Sequence, residues 1–194
     1  GWSTDSIGGD SLSEELRALR REDEIQAVVL RVNSPGGSAY ASEQILREVE
    51  LLRESGKTVV VSMGAVAASG GYWIASRADA IVAQASTITG SIGVFGMFPN
   101  YQQLREKIGV NVQPVKTGKY ADVFGLSRSK SADELALFQK SVDRVYEDFL
   151  DRVTSGRGLE RDAVHEIAQG RVWTGAQALE LGLVDVLGGL DTAI

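Results

Sequence analysis

Short apolar runs, each closed by a glycine-rich turn and most followed by a segment of helical periodicity, set the pattern of this chain. Ile25 to Val32 (IQAVVLRV), Lys57 to Met63 (KTVVVSM) and Ala80 to Gln84 (AIVAQ) are β-branched, apolar and short, which predicts buried strands. Helices are expected over Ser11 to Arg21, where Ser11 and Glu14 have capping-box spacing, over Tyr40 to Leu52, and from Gly70 onward. A further helix, Tyr101 to Ile108, leads to an expected strand at Asn111 to Val115. Such alternation predicts parallel strands joined by helical crossovers. The second half is more helical. Leu135, Phe138, Val142, Val145, Phe149 and Val153 recur at helix spacing between Ala132 and Val153, a stripe better suited to packing than to ligand binding. Arg171 to Gly175 leads into a helix over Ala176 to Leu181 with Gly182 as its C-terminal cap, and Asp185, Gly188 and Gly189 read as turn residues. No linker interrupts the pattern, so 1–194 is expected to be one domain.

The chemistry concentrates in the turns. Ala67-Ala68-Ser69-Gly70-Gly71-Tyr72-Trp73 places one serine among residues too small to shield it, at a strand-to-helix junction. Free amides at a helix N-terminus attract an anion, which is what acyl transfer needs beside its nucleophile. Ser69 is therefore a candidate nucleophile, the alternative being a serine that merely caps the helix. Asn33-Ser34-Pro35-Gly36-Gly37-Ser38 is a second strand-turn-helix junction, and its paired glycines allow backbone N–H groups to point into a site. Gly37 and Gly70 are the candidate oxyanion donors. Thr87-Ile88-Thr89-Gly90-Ser91-Ile92-Gly93-Val94 is a third such turn, in which Ser91 either orients a base or satisfies its own backbone. Three turns after three strands suggest one cleft at the carboxyl ends of a parallel sheet.

Composition removes other classes. With 20 basic against 26 acidic residues the net charge is −6, and no basic tract marks a nucleic-acid surface. The absence of cysteine removes disulfides, thiolate catalysis and cysteine-ligated metals, and no metal or cofactor is expected. The one histidine, His165, sits between charged residues on an expected helix far from the glycine turns, so a Ser-His-Asp triad has no evident candidate. No stretch approaches the roughly 20 apolar residues of a membrane span.

The order VNSPGGS, SMGAVAASGGYWIAS, TITGSIGVFG and GRVWTGAQALELGLVD closely resembles the signal peptide peptidase A (protease IV) family of the Clp/crotonase superfamily. The resemblance covers nearly the whole chain. It implies an α/β fold, a Clp/crotonase-like spiral of ββα units with an outlying C-terminal helical region. It also implies a membrane-associated serine endopeptidase that degrades residual signal peptides with a Ser/Lys dyad. Carried over by position, the nucleophile falls on Ser69, the oxyanion amides on Gly37 and Gly70, and the hydroxyl that contacts the general-base lysine on Ser91.

The lysine is where this sequence departs from the family pattern. Following Lys116 to Val123 puts Ala121 where the short form of the family carries its base, with Lys119, two residues away, as the remaining in-chain candidate. In the long form, a tandem duplication, one half supplies lysine and the other serine. This chain resembles the serine-bearing C-terminal half, beginning after the family's opening strand. The implied partners are peptide substrates, the N-terminal half supplying lysine, and further copies in a ring or dome. The resemblance places the catalytic region outside the cytoplasm of a bacterial cell and the anchor elsewhere in the parent, leaving this fragment soluble. Two other readings stay open: a crotonase-like acyl-CoA enzyme using cleft carboxylates, and a catalytically silent assembly or binding half.

Overall fold

The computed structural model describes residues 6–194. They condense into two compact units, one built from residues up to Gly93 together with Tyr146–Ile194, the other from Val94–Val145.

In the first unit, a six-stranded sheet is organised around one long strand. β1 (Ala27–Ser34) runs parallel to β2 (Thr58–Ala68) along one edge, from Ala27 opposite Thr58 to Val32 opposite Met63. The other edge of β2 is shared. β3 (Ala80–Ala83) lies beside Val60–Ser62, and β4 (Ile88–Gly90) lies beside Val66–Ala68, so two consecutive strands occupy opposite ends of the same neighbour. The division falls at a break in register. Val32 pairs with Met63 but Ser34 pairs with Ala67, and Asn33 bridges the interruption by accepting the Val66 N–H at 3.1 Å. This offset curls the sheet. Two short strands complete it: β5 (Val172–Thr174) runs antiparallel to β4, and β6 (Val186–Leu187) parallel to β3.

Helices cover this sheet for reasons visible in their apolar faces. α1 (Gly9–Arg21) starts two residues before Ser11, and its N-cap Gly8 makes no side-chain bond, so the expected capping box does not form. Asp10 in its first turn and Arg20 and Arg21 in its last complement the helix dipole instead. α2 (Ala39–Glu54) is capped by Ser38, whose hydroxyl accepts from Ala41, and it buries Ile45, Leu46, Val49 and Leu52. Val59, Val61 and Met63 of β2 and Tyr72 of α3 (Gly70–Ala75) are fully buried as well, in a core from which water is excluded. The Tyr72 hydroxyl is not stranded there, because it donates to the Leu183 carbonyl at 2.9 Å.

α4 (Gln102–Lys107) belongs to the second unit. The helical stripe of the second half becomes α5 (Ala132–Arg157). Phe149, Leu150 and Val153 are buried, with Phe149 and Trp73 rings 4.5 Å apart, whereas Leu135 is half exposed. α6 (Arg161–Ile167), α7 (Gly175–Glu180) and α8 (Leu190–Ala193) follow. α7 carries a true capping box, Thr174 with Gln177, and Gly182 follows its last turn at φ +73° as the C-terminal signal requires.

In the second unit, Phe138 packs against Phe98 and Phe124 with ring centroids at 4.0 and 5.6 Å. The expected strand at Asn111 to Val115 does not form. Pro114 has no N–H to give to a ladder, and Val115 is 99% exposed.

Candidate active site

Ser69 follows the last residue of β2 and precedes α3, with φ 51° and ψ −120°. A non-glycine residue held there carries strain of about 1–3 kcal/mol, which persists only where the surroundings enforce it. Here two backbone bonds do so. Its N–H donates to the Gly90 carbonyl at 2.9 Å, and its carbonyl accepts the Trp73 N–H at 2.8 Å. The hydroxyl, by contrast, caps nothing: α3 has no side-chain cap bond. The reading of Ser69 as an ordinary N-cap therefore does not describe this turn.

The Pro35-Gly36-Gly37 turn lies directly against it. A Cβ on Gly36, whose φ is +105°, would come within 2.7 Å of both the Gly70 nitrogen and the Ser69 Cβ. One on Gly70 would meet the Ser42 hydroxyl at 2.5 Å and the Gly37 nitrogen at 3.2 Å. Glycine is what permits this closeness. It also leaves two donors uncommitted, since neither the Gly37 nor the Gly70 N–H bonds to a carbonyl or side chain among the described residues. Gly70 is buried, and the space beside Gly37 is open. Gly37 and Gly70 thus keep free N–H groups in two turns that meet at Ser69, the kind of donor that stabilises a forming oxyanion.

Ser91 enters from the neighbouring strand. Because Ala68 and Gly90 are paired in the parallel β2–β4 ladder, Ser69 and Ser91 are the next residues on strands about 4.8 Å apart. Ser91 also has positive φ, 48°, and its N–H donates to the Arg171 carbonyl at 2.7 Å. The chain ends of β1, β2 and β4 thus carry Gly37, Ser69, Gly70 and Ser91. The sequence pattern missed two supports, Asn33 and the segment 169–173. Asn33 carried a signal, standing immediately before the glycine turn. β5 carried almost none, being three residues long.

The base candidates lie in the second unit and are engaged. Lys119 is 66% exposed at its side chain, and its Nζ is 2.7 Å from Asp133 Oδ2 and over the Tyr120 ring. The hydrogen bond with Asp133 pushes its pKa up, the opposite of what a proton acceptor needs. Ala121 is exposed in the same turn and offers no titratable group. Lys116 is paired with Asp122 at 2.8 Å, and Arg128 joins Asp122 to Glu134. His165 is 3.0 Å from the Tyr146 hydroxyl through Nδ1. Among the described residues no group of three or more His, Asp or Glu is placed to hold a metal, and no helix is long and apolar enough to cross a membrane.

Peptidase family S49 matches residues 51–194, about three quarters of the chain. The chain belongs to peptidase family S49. The Clp protease family matches residues 4–88 as well. Over 98% of its length the chain is 46% identical to Protease 4 of Haemophilus influenzae, and over 97% it is 44% identical to the chloroplastic serine protease SPPA of Arabidopsis thaliana. It spans 31% and 28% of those two proteins, but 67% of a putative protease of Synechocystis to which it is 40% identical. A solved ClpP1 mutant from Listeria monocytogenes superposes with a TM-score of 0.62 at 15% identity, covering 93% of this chain and 84% of that one. The S49 membership agrees with the family resemblance of the four motifs, and the curled α/β sheet is the Clp-protease-like fold.

Proposed function

We propose that this chain is the nucleophile-bearing part of a serine endopeptidase that works with a Ser/Lys dyad. A neutral lysine amine takes the Ser69 proton as Oγ attacks the peptide carbonyl. The developing oxyanion accepts hydrogen bonds from the Gly37 and Gly70 N–H groups, each worth about 3 kcal/mol of barrier. The lysine then gives its proton to the departing amine, and water admitted to the acyl-enzyme repeats the sequence to release the acid. Ser91 holds the amine in position. The observation that carries this reading is the strained Ser69 turn, which leaves its hydroxyl uncapped beside two unbonded amides.

The lysine comes from outside this chain, from the partner half of a tandem parent or from a neighbouring subunit. The charge pairing of Lys119 supports that choice. Substrates are peptides, with residual signal peptides left in the membrane as the class that the family implies, and copies assemble into a ring or dome. Alone, the chain is a silent half. The test is labelling of the full-length parent with a fluorophosphonate, which needs an activated serine. The expected adduct maps to Ser69 and vanishes in Ser69→Ala; an adduct elsewhere, or turnover retained by folded Ser69→Ala, would overturn the assignment.

A further inference from the structure

Ser91 is held from two sides. Its own N–H donates to the Arg171 carbonyl at 2.7 Å, and the Gly170 N–H donates to the Ile92 carbonyl at 2.9 Å, so the segment after β4 is bracketed by the segment before β5. The approach is close. A Cβ on Gly93 would lie 2.6 Å from the Gly170 nitrogen, and one on Gly90 would lie 2.8 Å from Cδ1 of Trp173. The bracket is tied down behind. Trp173 Nε1 donates to the Ile167 carbonyl at 2.9 Å, the Arg171 N–H to Ala168 at 3.1 Å, and Gln169 Nε2 to His165 at 3.3 Å, all at the end of α6.

Backbone strain marks the same place. Three non-glycine residues among those described have positive φ: Ser69, Ser91 and Gln169. One is the candidate nucleophile, and the other two sit on the two sides of this bracket. Such conformations endure where neighbours over-determine them. Trp173 is the side chain that does so here, since its indole lies against Gly90, whose carbonyl receives the Ser69 N–H at 2.9 Å. One contact therefore bears on both serines.

We propose that Trp173 is a positioning residue for the dyad: with the Gln169–Arg171 backbone it fixes Ser91 relative to Ser69, and so sets how the incoming amine is held. This rests on the reading of Ser91 as the hydroxyl that orients the lysine. It is tested in the full-length parent with a fluorogenic peptide, comparing Ser91→Ala, Trp173→Ala, their combination, and Trp173→Phe, each over the pH range of activity. Trp173→Ala is expected to lower kcat about 10-fold with KM within about two-fold, a split that marks lost transition-state stabilisation. Its kcat profile shifts along the pH axis in the same direction as that of Ser91→Ala, and the double variant is no slower than Ser91→Ala alone. Trp173→Phe, which keeps a ring against Gly90, recovers most of the rate. Should Trp173→Ala fail to fold, Gly93→Ala disturbs the bracket from its other side and is expected to give the same profile.

Additive losses in the double variant, an unshifted profile, or an effect on KM alone would overturn the proposal while leaving the dyad standing. If Ser91→Ala itself leaves rate and profile unchanged, the assignment of Ser91 falls, and this inference with it.

Discussion

The end of β2 and the turn around residues 116–128 treat polar groups in opposite ways. At the first, backbone geometry is over-determined by the Gly90 and Trp73 bonds and by the closely packed glycines, yet the Ser69 hydroxyl and the Gly37 and Gly70 amides have no partner among the described residues. At the second, charges are paired: Lys116 with Asp122, Lys119 with Asp133, and Arg128 with both Asp122 and Glu134. A fold leaves groups unsatisfied where it holds them rigidly for a reaction, and neutralises them where they serve the surface.

The largest break of that contrast is at the nucleophile. Ser69→Ala should reduce peptide hydrolysis by the parent about 10⁴-fold or more, with melting temperature and circular dichroism unchanged. Next comes the amide pair. Gly70→Ala adds a Cβ at 2.5 Å from the Ser42 hydroxyl and 3.2 Å from the Gly37 nitrogen, so the Gly37 turn must give way. A kcat loss of about 10² is expected, with little change in KM. Combining it with Ser42→Ala sharpens the test: it relieves the hydroxyl contact but not the one with Gly37, and should restore stability more than rate.

Asn33→Ala probes the frame behind these groups. It removes the acceptor for the Val66 N–H at the register break, and should cost about 1 kcal/mol in urea unfolding. Smaller still is the pH response of the α2–α5 contact. Burial pushes the Glu43 carboxyl up, but hydrogen bonds from Arg152 and Trp73 outweigh it, so its pKa lies below the ordinary 4.5. A depressed folded-state pKa gives stability that is present above the unfolded value and fades as pH falls through the folded one. The difference in melting temperature between the wild type and Glu43→Gln, followed by calorimetry, should therefore shrink as pH drops below 4.5.

Much of the strand-end architecture was legible because its causes are local. The β-branched runs of β1 and β2, the paired glycines after them and the small residues around Ser69 each signal their own geometry within a few positions. What escaped is non-local. β2 runs on to Ala68 because β4 meets its far end, β5 exists because three residues find an antiparallel neighbour, and α1 begins at Gly9 without the Ser11–Glu14 box. Asn111 to Val115 has strand-like alternation, but Pro114 interrupts it. Nothing in the sequence around Lys119 signals the Asp133 carboxylate that the structure sets beside it.

This chain is proposed to bring the nucleophile and to receive its base from elsewhere. The most direct measurement is peptide hydrolysis and fluorophosphonate labelling by three proteins: the parent, the parent carrying Lys119→Ala, and residues 1–194 alone. Lys119→Ala is expected to stay within about two-fold of the parent, while 1–194 alone falls about 10²-fold to 10⁴-fold for want of a proton acceptor. Robust hydrolysis by residues 1–194 alone, or loss of the parent's activity with Lys119→Ala, would overturn that reading.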